Sequence, residues 1–141
     1  MKYEKLIVEK REMLLLRQII ARIPNRMDDS YRVSIDRLSR ELGEAEIVAQ
    51  ENMPDDVVRF NSIVTILDPR NKLHDFQIVT PERGNIRQNR LSIIAPMGLA
   101  LFGYAQGDVV NWRFPGGEQA IRIINVSQDD PQLKAVGHER A

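Results

Sequence analysis

The chain has 141 residues and a mass of 16.2 kDa, and its 20 Lys plus Arg residues are balanced by 20 Asp plus Glu. A hydrophobic content of 43% excludes an intrinsically disordered tail, and the lack of a run of about 18 apolar residues excludes a membrane-spanning helix. Zero net charge argues against a protein that grips nucleic acid directly, because phosphate binding requires a basic excess. Without cysteine, the chain has no thiolate nucleophile and no cysteine zinc site.

Charge density divides the chain into two regions. Residues 1–53 carry 10 basic and 10 acidic side chains, whereas residues 54–141 carry the same numbers over 88 positions. The first region is dense in charge, and the second has the composition of a core-forming domain. We predict a helical hairpin over 1–53, a compact domain over 54–127 and a flexible polar tail over 128–141.

The first residues do not have the pattern of a secretory signal. Only Leu6, Ile7 and Val8 form an apolar run before Glu9, and a signal peptide needs a much longer one. We therefore expect a cytoplasmic protein. The same run lies within residues 5–9, which are also predicted as a short strand before the first helix.

Two apolar stripes with alternating spacings of three and four residues predict two helices. The first stripe ends before Pro24, and the second begins after the polar turn that follows it. Such narrow stripes are typical of a coiled-coil seam, so the pattern predicts a short antiparallel helical hairpin. The charges between the stripe positions, among them Arg37 and Glu41, are assigned to the solvated face. The stripe residues are Met13, Leu16, Ile20 and Ile23, then Tyr31, Ile35, Leu38, Leu42, Ala45 and Ala49.

The second helix is predicted to begin near Asp28, Asp29 and Ser30, any of which is a suitable N-cap. Its predicted end is at Pro54, because a residue that precedes proline is driven out of helical geometry. Gly43 lies inside this range and weakens the helix there by about 1 kcal/mol relative to alanine.

Residues 54–127 have the pattern of a small antiparallel sheet with one short helix, which is an α+β fold. Turn signals at 68–71 and 115–117 separate segments that are rich in β-branched residues. The apolar segment 97–103 predicts the helix, and Trp112 and Phe114 are expected in the core. The predicted strands lie within 58–66, 76–80, 91–94, 109–114 and 120–126.

The chain offers few residues for catalysis. His74 and His138 are isolated in the sequence, and no spacing suits a metal site. No phosphate-binding glycine loop is present. We therefore expect no catalytic residue, no bound metal and no cofactor, and thus a protein that is not an enzyme.

Asp28 and Asp29 form an acidic pair at the predicted hairpin tip. Two carboxylates on a projecting tip can help to hold a Mg²⁺ that is bound mainly elsewhere. The alternative is that they cap the second helix and interact with its positive end. The residues alone favour the second interpretation.

Arg83, Arg87 and Arg90 form a local basic stretch with only Glu82 nearby. One interpretation is a contact with nucleic acid or with an acidic protein surface. The other is a solvated loop, which the zero net charge of the whole chain favours.

Three segments carry a pattern that resembles the C-terminal domain of the bacterial Gre transcript-cleavage factors. They are MPDDVVRFNSIV at 53–64, LSIIAPMGLALFGYAQGDVVNWRFPGG at 91–117 and AIRIINV at 120–126. Within that superfamily the pattern is most similar to the short-armed group of regulators of nucleoside diphosphate kinase. The resemblance covers about half of the chain, and the helical region before it matches in order and in shortness.

The resemblance implies an FKBP-like fold and binding to RNA polymerase at the entrance of its secondary channel. In Gre-type factors the C-terminal domain docks on a coiled coil of the largest polymerase subunit, and the loop that matches 95–98 takes part. The helical hairpin then points into the channel, where an acidic tip helps to hold the second Mg²⁺ of the polymerase. The expected polymerase-binding residues here are Ser92, Ala95, Pro96, Met97, Gly98, Leu101 and Phe102.

The length of the predicted helical arms favours polymerase binding without cleavage over the stimulation of transcript cleavage. Arms of roughly 15 to 22 helical residues are about 22 to 33 Å long, which is shorter than the arms of cleavage factors, so Asp28 and Asp29 are expected to stop short of the polymerase metal. The leading hypothesis is a monomeric, non-catalytic polymerase-binding regulator that competes with cleavage factors and reaches nucleic acid only through polymerase. One alternative is a factor that stimulates transcript cleavage through the acidic tip. Another is an FKBP-like peptide-binding or prolyl isomerase module, whose pocket Trp112 is expected to fill.

Overall fold

A computed structural model of the chain describes residues 1–24, 28–114 and 116–128. The helices in these ranges are α1 (Lys10–Ala21), α2 (Asp29–Gly43) and α3 (Pro96–Leu101). The strands are β1 (Ile7–Glu9), β2 (Glu46–Val48), β3 (Ile63–Leu67), β4 (Leu73–Val79), β5 (Arg90–Ser92), β6 (Val109–Phe114) and β7 (Gly117–Ser127). The predicted mixture of helix and sheet is confirmed. None of the helices in these ranges is long and apolar enough to cross a membrane.

Five strands form the main sheet in the order β5-β4-β3-β7-β6. Its neighbouring strands are antiparallel except for β4 and β5, which are parallel. The prediction of a wholly antiparallel sheet is therefore wrong at β5. The physical reason is that residues 80–89 contain two short 3-10 turns. They carry the chain back along β4, so that β5 begins beside Gln77 and runs in the same direction as β4.

The strand predicted within 58–66 corresponds to β3, which begins later than predicted. Val58 and Phe60 are buried, but the strand starts only at Ile63. Asn61 interrupts the extended run because its φ of 70° lies in the left-handed region. Phe60 instead packs edge-on against Phe102, with ring centroids 5.2 Å apart.

The turn predicted at 68–71 is confirmed as the hairpin connection between β3 and β4. The Asp68 carboxylate accepts hydrogen bonds from the backbone N–H groups of Arg70 (2.8 Å) and Lys72 (3.0 Å). Asn71 has a φ of 62°, which asparagine tolerates better than most residues. In the second predicted turn, Pro115 lies outside the described residues, and Gly117 has a φ of 120° that favours glycine.

The second helix ends at Gly43, eleven residues before the predicted end at Pro54. Beyond it the chain forms β2, which pairs in parallel with β1 so that Ile7 lies opposite Glu46 and Glu9 opposite Val48. This pairing joins segments that are far apart in the sequence, so a helical pattern cannot predict it. Gly43 provides a low-cost place to stop the helix.

The apolar stripes of α1 and α2 pack into the core formed by the five-stranded sheet and α3, which together are called here the sheet region. Met13, Leu16, Leu38 and Leu42 are all at most 4% exposed, and they belong to one buried cluster with residues of the sheet such as Val64. A self-contained coiled-coil seam is therefore not confirmed. The FKBP-like description of the sheet region stays a prediction, as does the division of the chain at 53/54.

The predicted polar tail begins at Gln128, the last residue that the structure describes. The Gln128 amide donates to the carbonyl oxygens of Asp55 (3.0 Å) and Val57 (2.8 Å), and its oxygen accepts from the Ser62 hydroxyl (2.7 Å). Gln128 is thus held against the sheet region. The rest of the predicted tail, residues 129–141, lies outside the described residues.

Candidate functional site

Residues 92–98, called here the 92–98 loop, run from the last residue of β5 through a tight turn into the first three residues of α3. The Ile93 N–H donates to the carbonyl of Val79 at 2.8 Å, and the Ala95 N–H donates to the carbonyl of Ser92 at 3.0 Å. Pro96 occupies the first position of α3, where the missing N–H leaves no helical hydrogen bond unmade. The loop is therefore fixed at both ends by backbone hydrogen bonds.

Gly98 allows the helix to approach the loop closely. A Cβ atom at this position would lie 2.5 Å from the carbonyl oxygen of Ser92 and 2.9 Å from that of Ile93. Both are backbone atoms and cannot move away without unfolding the turn. Glycine is thus required here for packing.

The predicted polymerase-binding residues divide into a surface set and a buried set. Ser92, Ala95, Pro96 and Met97 are half-exposed, and so is Ile94 between them. Their side chains form a small surface that is largely apolar.

The other predicted contacts, Leu101 and Phe102, are 0% and 1% exposed. They support the 92–98 loop from the core, and their side chains do not reach its surface. Their assignment as polymerase-binding residues stays a prediction, and their burial favours an indirect role through the shape of the loop. The sequence does not predict which of these residues are buried, because α3 is apolar throughout and has no polar face that indicates its orientation.

Tyr31 ties the first turn of α2 to the 92–98 loop. Its hydroxyl donates a short hydrogen bond to the carbonyl oxygen of Ile94. Burial raises the pKa of Tyr31, so the hydroxyl keeps its proton at neutral pH and remains a donor. Sequence reasoning placed Tyr31 only in the apolar stripe.

The acidic pair lies next to this hydrogen bond. Asp28 is the N-cap of α2, and its carboxylate accepts from the N–H of Tyr31 at 2.8 Å; Asp29 follows in the first turn. Both residues are exposed. The structure therefore selects Asp28 from the three N-cap candidates and places the pair within one helical turn of Tyr31, whose side chain reaches the 92–98 loop. No group of three or more potential metal ligands occurs within the described ranges.

The middle of α2 covers the edge strand β6. The Arg37 guanidinium lies 4.6 Å from the centroid of the Trp112 ring and donates to the carbonyl of Asn111 at 2.6 Å. The Ser34 hydroxyl donates to the carbonyl of Arg113 at 3.3 Å. Trp112 is 0% exposed, as predicted for a core residue. A helix that binds the free carbonyls of an edge strand also prevents that edge from pairing with another chain.

Two further polar contacts hold the helices to the sheet region. The Tyr104 hydroxyl donates to the Glu41 carboxylate at 2.7 Å, and burial together with this bond raises the pKa of Tyr104. On α1, Glu12 accepts from Arg59 Nε at 3.0 Å and Nη2 at 2.8 Å. Burial raises the pKa of Glu12, and the Arg59 charge opposes that shift. The assignment of Arg37 and Glu41 to a solvated face is therefore wrong.

Two arginines of the basic stretch lie between β4 and β5, and the third, Arg90, is the first residue of β5. Arg83 and Arg87 are exposed, whereas Arg90 is half-exposed at the start of β5. Arg83 Nη1 donates to the Asn61 side-chain oxygen at 2.8 Å. The segment leads directly to Ser92, so it borders the 92–98 loop.

Comparison with known proteins identifies the family. A sequence model described as "Transcription elongation factor, GreA/GreB, C-term" matches residues 53–128. The regulator of nucleoside diphosphate kinase of Escherichia coli is 36% identical over 83 residues, which cover 58% of this chain and 61% of that protein. Transcription elongation factor GreA of Brucella anthropi is 28% identical over 93 residues, which cover 65% of this chain and 59% of that protein. The chain thus matches about three fifths of the length of these relatives.

A solved structure extends the match into the helical region. It is the prokaryotic transcription elongation factor GreA/GreB from Nitrosomonas europaea, with 30% sequence identity and a TM-score of 0.69. The superposition covers 87% of this chain and 98% of that one. Together, the match of residues 53–128 and this structural likeness show that the chain belongs to the GreA/GreB family of transcription elongation factors.

Proposed function

We propose that this chain is a non-catalytic regulator that binds RNA polymerase. Its 92–98 loop docks on the coiled coil of the largest polymerase subunit, at the entrance of the secondary channel. The bound chain excludes Gre-type cleavage factors from the same place. It reaches nucleic acid only through polymerase, and it works as a monomer in the cytoplasm.

The observation that carries this proposal is the placement of the helices. The helices α1 and α2 have 12 and 15 residues, which corresponds to lengths of about 18 and 22 Å. Contacts from Tyr31 to Glu41 hold α2 against the sheet region along most of its length. An arm that is short and held in this way does not extend from the docking surface into a channel.

The 92–98 loop has the properties of a docking surface. Ile94, Pro96 and Met97 present apolar side chains on a backbone that hydrogen bonds hold in place. A preformed apolar surface loses little conformational entropy on binding, which favours association.

The first alternative is stimulation of transcript cleavage by Asp28 and Asp29. Exposure of both carboxylates is the feature in its favour. Against it, Asp28 caps α2, and Tyr31 three residues later is bonded to the 92–98 loop. A carboxylate in the turn of a helix that is bonded to the docking surface is poorly placed to reach a metal deep in the channel.

The second alternative is a peptide-binding or prolyl isomerase module. Such a protein needs an open apolar pocket for its ligand. Trp112 is fully buried and Arg37 covers its ring, so this residue is not available to line an open pocket. A proline-peptide isomerisation assay is expected to give only the uncatalysed rate, and a higher rate would support this alternative.

Binding to purified core polymerase tests the proposal. We expect the full chain to bind at micromolar concentration or below, and Met97→Asp to weaken binding by about tenfold, because a buried carboxylate would replace an apolar contact. The matched control is Leu73→Asp, since Leu73 is an exposed leucine on β4 at 64% exposure. Absence of binding by the unaltered chain, or equal losses in both variants, would count against the proposal.

A backtracked elongation complex separates the regulator from the cleavage factor. The chain alone is expected to leave the cleavage rate unchanged, and it is expected to reduce the rate when GreA is also present. Asp28→Asn together with Asp29→Asn should leave the competition unaltered. Faster cleavage with the chain alone, lost in the double variant, would support the first alternative instead.

A further inference from the structure

Residues 81–90, called here the basic loop, lead from the end of β4 to the first residue of β5, and backbone hydrogen bonds within the loop hold its shape. Asn85 and Arg90 exchange two backbone hydrogen bonds of 2.9 Å each, which close the end of the loop. Asn89 makes the final reversal with a φ of 57°. The loop therefore presents its side chains from a fixed backbone.

The basic loop lies directly beside the 92–98 loop. A Cβ atom on Gly84 would be 3.4 Å from the Cβ atom of Ser92, so the two segments are in contact. Arg90 begins the three-residue strand that Ser92 ends. The two loops are thus neighbours on one edge of the sheet.

The charge of the basic loop is not neutralised by the rest of the described chain. Arg83, Arg87 and Arg90 stand against the single acidic residue Glu82, which leaves a formal charge of +2. Within the described ranges, none of the three arginines has a carboxylate within 4 Å. Arg83 is instead oriented by the neutral amide oxygen of Asn61.

An exposed apolar side chain lies between these charges. Ile86 is 73% exposed, more than any other large hydrophobic residue in the described part of the chain. It lies between Arg83 and Arg87 and contributes little to the core. An exposed isoleucine flanked by arginines has the composition of a protein interface, because such interfaces combine apolar anchors with arginine.

We infer that the basic loop is the second half of the polymerase-docking surface, and that it contacts a protein patch with acidic side chains around an apolar depression. This inference rests on the proposed function, because it names the chemistry of the polymerase surface beside the one that receives the 92–98 loop. Ile86 enters the depression, and Arg83 and Arg87 pair with the carboxylates around it.

A protein surface fits the basic loop better than nucleic acid does. The loop contains no aromatic side chain on which a base can stack, whereas single-strand binding sites depend on such stacking. Three arginines also make few phosphate contacts, and the most exposed side chain at the tip is apolar. The charge and the exposed isoleucine together therefore favour an acidic protein patch.

The test compares two double charge reversals in the full chain by their affinity for core polymerase. Arg83→Glu with Arg87→Glu should weaken binding by about tenfold or more and should flatten its dependence on salt, because the reversed charges repel the acidic patch. The control is Arg70→Glu with Arg122→Glu, which makes the same change of −4 at exposed positions outside the basic loop. It should change affinity by less than about twofold, since isolated surface charges contribute little. Ile86→Asp should weaken binding without loss of folding.

The outcomes separate this inference from the function on which it rests. If the unaltered chain does not bind polymerase, the proposed function fails. If it binds and Met97→Asp weakens binding, while the Arg83 and Arg87 reversal binds as tightly as the control, only the inference fails. A third outcome is that the chain binds a single-stranded RNA probe through Arg83 and Arg87, while their reversal has no effect on polymerase binding. That result would assign the basic loop to nucleic acid and would also overturn the inference.

Discussion

The helical region and the sheet region use their charged residues in opposite ways. On α1 and α2, side chains such as Glu12, Arg37 and Glu41 bind partners in the sheet region and hold the helices against it. On the basic loop of the sheet region, Arg83 and Arg87 have no carboxylate within 4 Å among the described residues. Dense charge therefore stabilises the fold in one region, whereas a few unpaired charges mark a candidate interface in the other.

The two regions also differ in the surroundings of their exposed apolar residues. Leu38 and Leu42 of α2 join the core beneath the sheet, and the exposed large apolar side chains of the two helices in the described ranges are Leu14, Leu15 and Val33. The sheet region, to which the family-model match is confined, presents Met97 on the 92–98 loop and Ile86 between the arginines of the basic loop. Docking is accordingly expected from the sheet region, with the helices as a cover of its edge. Four substitutions test this comparison.

The largest effect is expected from Leu38→Ala. Leu38 is 1% exposed in the shared core, and its truncation should lower the free energy of unfolding by about 2–5 kcal/mol. Because the core is shared, urea unfolding followed by helical circular dichroism and by the fluorescence of Trp112 should move together. Leu14→Ala on α1 is the control, at 62% exposure, and should change stability by less than about 0.5 kcal/mol. A helical transition that separates from the Trp112 transition would mean that the helices are independent of the sheet.

The next effect is expected from Gly98→Ala. The added Cβ would meet the Ser92 carbonyl oxygen at 2.5 Å, so the substitution should destabilise the protein by about 1–3 kcal/mol and displace the 92–98 loop. Gly43→Ala is the opposite case, because nothing lies within 4 Å of its added Cβ. At this helical position alanine should stabilise the protein by about 0.5–1 kcal/mol. Thermal unfolding of both variants gives the comparison, and a stabilised Gly98→Ala protein would contradict the described loop.

A smaller effect is expected from Arg37→Ala. The substitution removes the contact over the Trp112 ring and the hydrogen bond to Asn111, which should cost about 1 kcal/mol of stability. Trp112 should also become more accessible, and its emission should shift to longer wavelength. Arg40→Ala, at an exposed position on the same helix, should leave both quantities unchanged. An unshifted emission in Arg37→Ala would show that the guanidinium does not cover the ring.

The smallest effect concerns the β3–β4 turn and depends on pH. Hydrogen bonds from His74 and from the N–H of Lys72 lower the pKa of Asp68 from 3.8 to about 2. A carboxyl group whose pKa is lowered by folding contributes stability above the unfolded value, and this stability is lost as the pH falls from 3.8 through about 2. Asp68→Asn should therefore lower the melting temperature slightly at pH 5 and progressively less towards pH 2. If the difference in melting temperature between Asp68→Asn and the unaltered chain does not change with pH, the carboxylate charge does not contribute to the stability of the turn.

The sequence predicts most of the sheet because its signals are local. Alternating residues in β6 and β7, and the Asp68 and Asn71 turn residues, specify hairpins from neighbouring positions alone. The 92–98 loop is likewise marked by a contiguous motif around Pro96 and Gly98. The acidic pair is also local, since Asp28 caps the helix that follows it.

The features that the sequence does not reveal depend on distant partners. The end of α2 at Gly43 is set by the pairing of β2 with β1, and the Tyr31 hydrogen bond joins residues 63 positions apart. The apolar stripes are correct, but a stripe does not specify whether it packs on another helix or on a sheet. The burial of Leu101 and Phe102 could not be predicted either, because α3 is apolar on all sides.

The distance between Asp29, in the first turn of α2, and the 92–98 loop tests the central claim most directly. The chain has no cysteine, so spin labels can be attached to Asp29→Cys and Met97→Cys alone. Pulsed dipolar spectroscopy should give a single short distance, because Asp29 is two residues from Tyr31, whose hydroxyl bonds to Ile94. A projecting arm would lengthen that distance by up to about 22 Å, the length of the 15 residues of α2. A distribution centred at the longer distance would contradict the account and favour the cleavage factor.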